Sequence, residues 1–154
     1  MPSETVVELK TQRPVHEQAQ HSYTIPSSLY LDEKIYEQEK QNIFYCNWHY
    51  AGHASQLSKT GDYLTASVAD ESVFIVRCQD ETLRGFYNVC RHRAHQLLEG
   101  SGNTHNIVCP YHAWSYALTG ELRHARNSEK VPGFDKSEFW LQPVQVDTLG
   151  VFVF

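Results

Sequence analysis

Hydrophobic and polar positions change their rhythm twice along this chain. Residues 1–25 are polar and without period, which predicts an extended or flexible arm. Residues 26–60 form a helical lead-in. There Leu31, Ile35 and the Ile43/Phe44 pair make a partial helical stripe, and acids fall early as the helix dipole prefers. The stripe predicts a helix from about Asp32 to Tyr45, started by Ser28 or Asp32.

From residue 61 to 145 the pattern is that of short strands. Tyr63–Ala69 and Ser72–Cys78 read as a hairpin, and Thr82–Val89 as the next strand. "HAWSYAL" and "ELRHA" flank "TG" as a second hairpin. Residues 146–154 close on the apolar run "GVFVF", with no cap or polar tail, and are expected to begin a further, truncated or absent domain. The fold class expected is mainly β: a small antiparallel domain with an N-terminal helical extension. No internal repeat or low-complexity segment is visible.

Composition narrows the function. The chain has 154 residues, 41% hydrophobic and 20% charged, enough for one globular core. A net charge of −5 and the lack of any basic run argue against nucleic acid as a partner. No stretch approaches the roughly 18–20 apolar residues of a membrane span. The N-terminus carries no basic-then-apolar signal pattern, so a cytoplasmic location is expected. In such a compartment the four cysteines, Cys46, Cys78, Cys90 and Cys109, stay reduced.

Two of those cysteines sit beside histidines. The first pair is Cys90-x-His92 and the second Cys109-x-x-His112, with residues 93–108 between them. "GFYNV" runs into Cys90 and "HNIV" into Cys109, so each pair lies on a loop at a strand end. "EGSGN" supplies the reversal between the loops, and Pro110 stiffens the second. Zinc accepts two thiolates and two imidazoles, but its familiar layout groups C-x₂₋₄-C and H-x₃₋₅-H. One of each per loop suits a Rieske [2Fe–2S] cluster, with one iron on the cysteines and the other on the histidines. Two ferric irons, two sulfides and two thiolates sum to zero charge, and one electron makes the cluster negative. Neutral imidazoles make the histidine iron the one reduced, at about −150 to +300 mV. Arg91 and Arg93 beside His92 either favour that reduced state or form a solvated loop surface.

Cys90-Arg91-His92-Arg93 and Cys109-Pro110-Tyr111-His112-x-Trp114-x-Tyr116 resemble the Rieske domain of the α subunits of Rieske non-haem iron oxygenases. The resemblance runs from about residue 25 to 154, through "IFYCNWHYAGHASQL", "GDYLTASV", "LTGEL" and "GVFVF". "NVCRHR" with "CPYHAWSY" is most similar to the branch acting on quaternary ammonium compounds such as choline or betaines. What the resemblance implies is a Rieske-type β domain with a cluster-binding subdomain of two loops. Cys90, His92, Cys109 and His112 would bind the cluster. A flavin or iron–sulfur reductase, or a ferredoxin, would donate electrons. A mononuclear Fe(II) would lie in a catalytic domain, and the full-length protein would form a homo-oligomer, a trimer.

Respiratory-chain Rieske proteins carry a disulfide beside the cluster; its positions here are His95 and Tyr111. A serine that bonds cluster sulfur there is replaced by Trp114, while a tyrosine has its counterpart in Tyr116. Fewer bonds to sulfur predict a low potential. His16, His21, His49, His53, His105 and His124 supply no His–His–carboxylate set for oxygen activation, and His49/His53 read as structural. Cys46 and Cys78 are expected to be buried, Trp48, Phe86 and Tyr87 to be core, Trp114 to cover the cluster and His95 to lie on the surface. Two alternatives stay open: a free-standing Rieske ferredoxin and a zinc-stabilised binding module.

Overall fold

The computed structural model describes residues 24–154; the arm expected over 1–25 falls outside them except for Thr24 and Ile25. The chain divides between Cys46 and Asn47 into two compact units. In the first, helix α1 (Ser28–Leu31) stops at Asp32, whose extended backbone separates it from α2 (Glu33–Asn42). The Asp32 carboxylate accepts the Lys34 N–H at 2.9 Å, so the expected cap is present and starts α2. A 3-10 turn over Phe44–Cys46 completes what the sequence read as one helix to Tyr45. Cys46 is exposed there, its Sγ donating to the Gln41 carbonyl, which corrects the expectation of a buried thiol.

All strand pairing in the second unit is antiparallel, as expected. Its strands are β1 (Gly52–His53), β2 (Asp62–Val68), β3 (Glu71–Arg77), β4 (Leu83–Tyr87) and β5 (Ser101–Asn103). They continue as β6 (Ile107–Val108), β7 (Ser115–Tyr116), β8 (Leu122–His124), β9 (Pro143–Val144), β10 (Thr148–Leu149) and β11 (Phe152–Val153). Five form one sheet in the order β5-β2-β3-β4-β9, and two three-stranded sheets run β6-β7-β8 and β1-β11-β10. The β2–β3 hairpin pairs Val68 with Glu71, so its turn is Ala69-Asp70, one residue earlier than the sequence suggested.

Strand alternation builds two cores on this frame. Along β3, Phe74 and Val76 face a large cluster with Phe86, Leu97, Ile107, Tyr116, Leu122 and Leu141. Ile75 points the other way, to Leu57, Leu64 and Val153. The central strand is therefore covered on both sides, which explains its unbroken "SVFIV". Val153 is fully buried in the middle strand of its sheet, and burying such a side chain stabilises by about 1.5–3 kcal/mol. The terminal apolar run and Leu57, from the lead-in, thus belong to the same core.

The β7–β8 hairpin turns at Thr119-Gly120. Gly120 has φ +88°, and a Cβ there would lie 2.5 Å from the Phe86 ring, so backbone sign and packing both demand glycine. Phe86 and Cys78 are buried as expected and Tyr87 half-buried. Trp48 is 54% exposed, against expectation, because it lies ahead of the first strand of this unit.

Candidate metal centre

Both Cys/His pairs sit on loops between short strands. The first leaves β4 through Tyr87, Asn88 and Val89, and returns through an isolated bridge of Val89 with Gln96. The second leaves β6 at Val108 and re-enters at β7.

Each loop closes the same backbone ring. In the first, Cys90 N–H donates to the His95 carbonyl at 2.8 Å and Ala94 N–H to the Cys90 carbonyl at 2.9 Å. In the second, Cys109 N–H donates to Trp114 O at 2.8 Å and Ala113 N–H to Cys109 O at 3.0 Å. The residue that completes the turn is left-handed in both, Ala94 at φ 54° and Ala113 at φ 57°. Non-glycine residues rarely adopt this conformation, so two alanines holding it mark strained, closely specified loops.

These rings bury the two thiols and leave the two imidazoles in different surroundings. Cys90 and Cys109 are each 2% exposed, whereas His92 is exposed and His112 half-buried. The His92 and His112 rings meet at 4.8 Å between centroids. Trp114, expected to cover a cluster, stacks on His92 at 4.7 Å with the planes 9° apart. Phe134 and Phe139 in turn hold Trp114 edge-on.

Tyr116 supports the centre from within the core. Its hydroxyl oxygen accepts the Arg91 N–H at 3.1 Å, which leaves its own proton free for Cys90 Sγ at 3.3 Å. Burial pushes the Cys90 thiol above its usual range, against the pull of Tyr116 and the His92 backbone N–H. Burial, then the neighbouring Cys90, also raises the Tyr116 phenol. Desolvation, then His112 and Arg93, lowers the His92 imidazole.

Asn88 is 3% exposed and was not singled out by the sequence reading. Its amide nitrogen donates to Ser72 Oγ and the Leu98 carbonyl, and its oxygen accepts N–H groups from Leu97 and Leu98. Every polar atom of that side chain is used to tie the return leg of the first loop to the strand end. Asparagine two residues ahead of a ligand cysteine in an apolar run was the available signal. His53, by contrast, caps the 3-10 turn Ala54–Leu57 by accepting the Ser55 N–H, the structural role expected of it.

The donor set fits a binuclear cluster on one observation. His112 Nδ1 is a buried side-chain nitrogen with no hydrogen-bond partner among the described residues, as an imidazole aimed at a metal would be. Two donors for each of two irons is an arrangement of pairs.

The fold and this loop pair define a class, and the comparisons agree: residues 38–135 match the Rieske [2Fe-2S] domain. The chain belongs to that family. It is 46% identical over 136 residues, 88% of its length, to the carnitine monooxygenase oxygenase subunit of Escherichia coli K12, of which this covers 36%. It is 36% identical over 87% of its length to the glycine betaine monooxygenase oxygenase subunit of Pseudomonas aeruginosa PAO1, covering 31% of that protein. Among solved structures, the quaternary ammonium Rieske monooxygenase CntA in complex with L-carnitine superposes with a TM-score of 0.80 at 42% identity, over 86% of this chain and 38% of CntA. The chain thus spans about a third of the length of these relatives.

Proposed function

We propose that this chain is the electron-relay domain of an oxygenase subunit whose substrate is a small quaternary ammonium compound of the carnitine or betaine type. Cys90 and Cys109 hold one iron of a [2Fe–2S] cluster and His92 and His112 the other. The observation that carries the assignment is the repeated loop, which offers two buried thiols and two imidazoles whose rings meet, on one backbone design.

When bound, such a cluster supplies one-electron transfer at a potential set by its surroundings. This chain's residues do the rest. Tyr116 directs a hydroxyl proton at Cys90 Sγ, and the His92 backbone N–H does the same, so both favour extra negative charge on the sulfur. Trp114 keeps water off one face of His92. The exposure of His92 makes it the route by which a reductase or ferredoxin delivers the electron. An oxygen-activating Fe(II) would lie in a separate catalytic domain of the whole protein, and the assembled protein is a cytoplasmic homo-oligomer. Among the described residues no helix is long and apolar enough to cross a membrane.

Relatedness to oxygenase subunits favours this reading over a free-standing ferredoxin. Iron and sulfide content with EPR of the dithionite-reduced chain tests the ligand set. Loss of the signal in Cys90→Ala and His112→Ala is expected, and an unaltered signal in either would refute the assignment.

A further inference from the structure

The proposed ligand set leaves two aromatic side chains at the outer end of the loops without a role. His95 is the residue whose carbonyl closes the first loop, by accepting the Cys90 N–H at 2.8 Å. Its ring is fixed by Nδ1–H donating to the Gln96 carbonyl at 2.6 Å. Tyr111 is the third residue of the other loop, and its ring lies 3.8 Å from that of His112, tilted by 32°. The His95 and Tyr111 rings meet at 5.6 Å and 43°, within the range where aromatic pairs attract.

Besides the His92–His112 ring contact, the loops are tied at three further places. Tyr116 ties them at the inner end through Cys90 and Arg91, and Trp114 at the side through His92. At the outer end His112, Tyr111 and His95 form a continuous file of rings. Tyr111 is nevertheless 55% exposed, so core packing does not explain its position.

Resting on the cluster assignment above, we infer that His95 and Tyr111 are positioning residues: their ring contact braces the two cluster loops and shields His112 from water. The brace acts on the free loops as well as the loaded ones. It limits how far the loop tips separate, and so slows escape of the cluster. By keeping water from the His112 ring it also disfavours the negatively charged reduced state.

A double-mutant cycle on the cluster-loaded chain tests this, with the rate of bleaching in excess chelator as readout. Tyr111→Ala and His95→Ala should each accelerate bleaching by about 2- to 10-fold, the scale of one aromatic pair. The double variant should fall well short of the product of the two. Tyr111→Phe, which keeps the ring, should bleach at the parent rate, and Tyr111→Ala alone should move the midpoint potential upward. Independent, multiplicative effects, or a Phe variant as fast as Ala, would overturn the brace. A parent chain that binds no cluster would overturn the ligand assignment itself, a separate and visible failure.

Discussion

The loops Cys90–His95 and Cys109–Trp114 share a backbone and differ in almost everything else. Both close a hydrogen-bonded ring on a cysteine and turn through a left-handed alanine. The histidine stands two residues past the cysteine in one and three in the other, so one ring emerges into solvent and the other is half-buried with Nδ1 inside. Their supports differ as well. Two residues ahead of the cysteine the first loop has Asn88, held by a complete set of amide hydrogen bonds, and the second has Ile107, fully buried. The backbone sets where sulfur sits; the histidine offset and the supports set how each imidazole meets water.

The largest way to break this comparison is to remove a ligand from either loop. Cys90→Ala and His112→Ala should each abolish the cluster, as iron analysis will show, because metal binding and loop order are coupled. Retention of the cluster by either variant would remove that loop's residue from the ligand set and refute the assignment.

Next comes the support of the first loop. Asn88→Ala strands the Leu97 and Leu98 N–H groups and should cost about 1–3 kcal/mol in chemical denaturation, with faster cluster loss. Asn88→Asp should not rescue it, since a carboxylate cannot donate to the Leu98 carbonyl. Tyr116→Phe acts on the Cys90 side alone. Losing its bond to sulfur should lower the midpoint potential by about 20–60 mV, a 0.5–1.5 kcal/mol hydrogen bond converted at about 59 mV per tenfold. Protein-film voltammetry reads that directly, and an unchanged or raised potential would remove Tyr116 from the tuning.

The smallest effects test the shared backbone. Ala94→Gly and Ala113→Gly relieve a positive φ and should each raise stability by about 0.5–1 kcal/mol in urea unfolding. Gain in one loop alone would show that the two turns are not equivalent.

The sequence revealed the two Cys/His pairs more clearly than their supports, for physical reasons. Cysteine and histidine have distinctive chemistry, so their pairing, the strand ends that carry them and the β fold could be read directly. Ala94 and Ala113 gave no signal, because alanine carries no mark of the sign of φ. The helix read from Asp32 to Tyr45 had its start right, but the four-residue α1 ahead of Asp32 and the 3-10 turn at its end left no mark in the apolar stripe. Cys46 and Trp48 were misjudged by composition alone: apolar residues at the edge of a folded unit meet solvent whatever their transfer preference. The His95–Tyr111 contact joins two loops distant in sequence, and only the fold brings it into view.

The central claim is that one thiolate pair and one imidazole pair hold a binuclear cluster. The most direct measurement is the EPR spectrum of the purified chain reduced with dithionite. The account predicts a brown protein that gives a rhombic signal on taking up one electron, with a midpoint potential not well above 0 mV. A colourless chain that retains zinc and stays EPR-silent would contradict it.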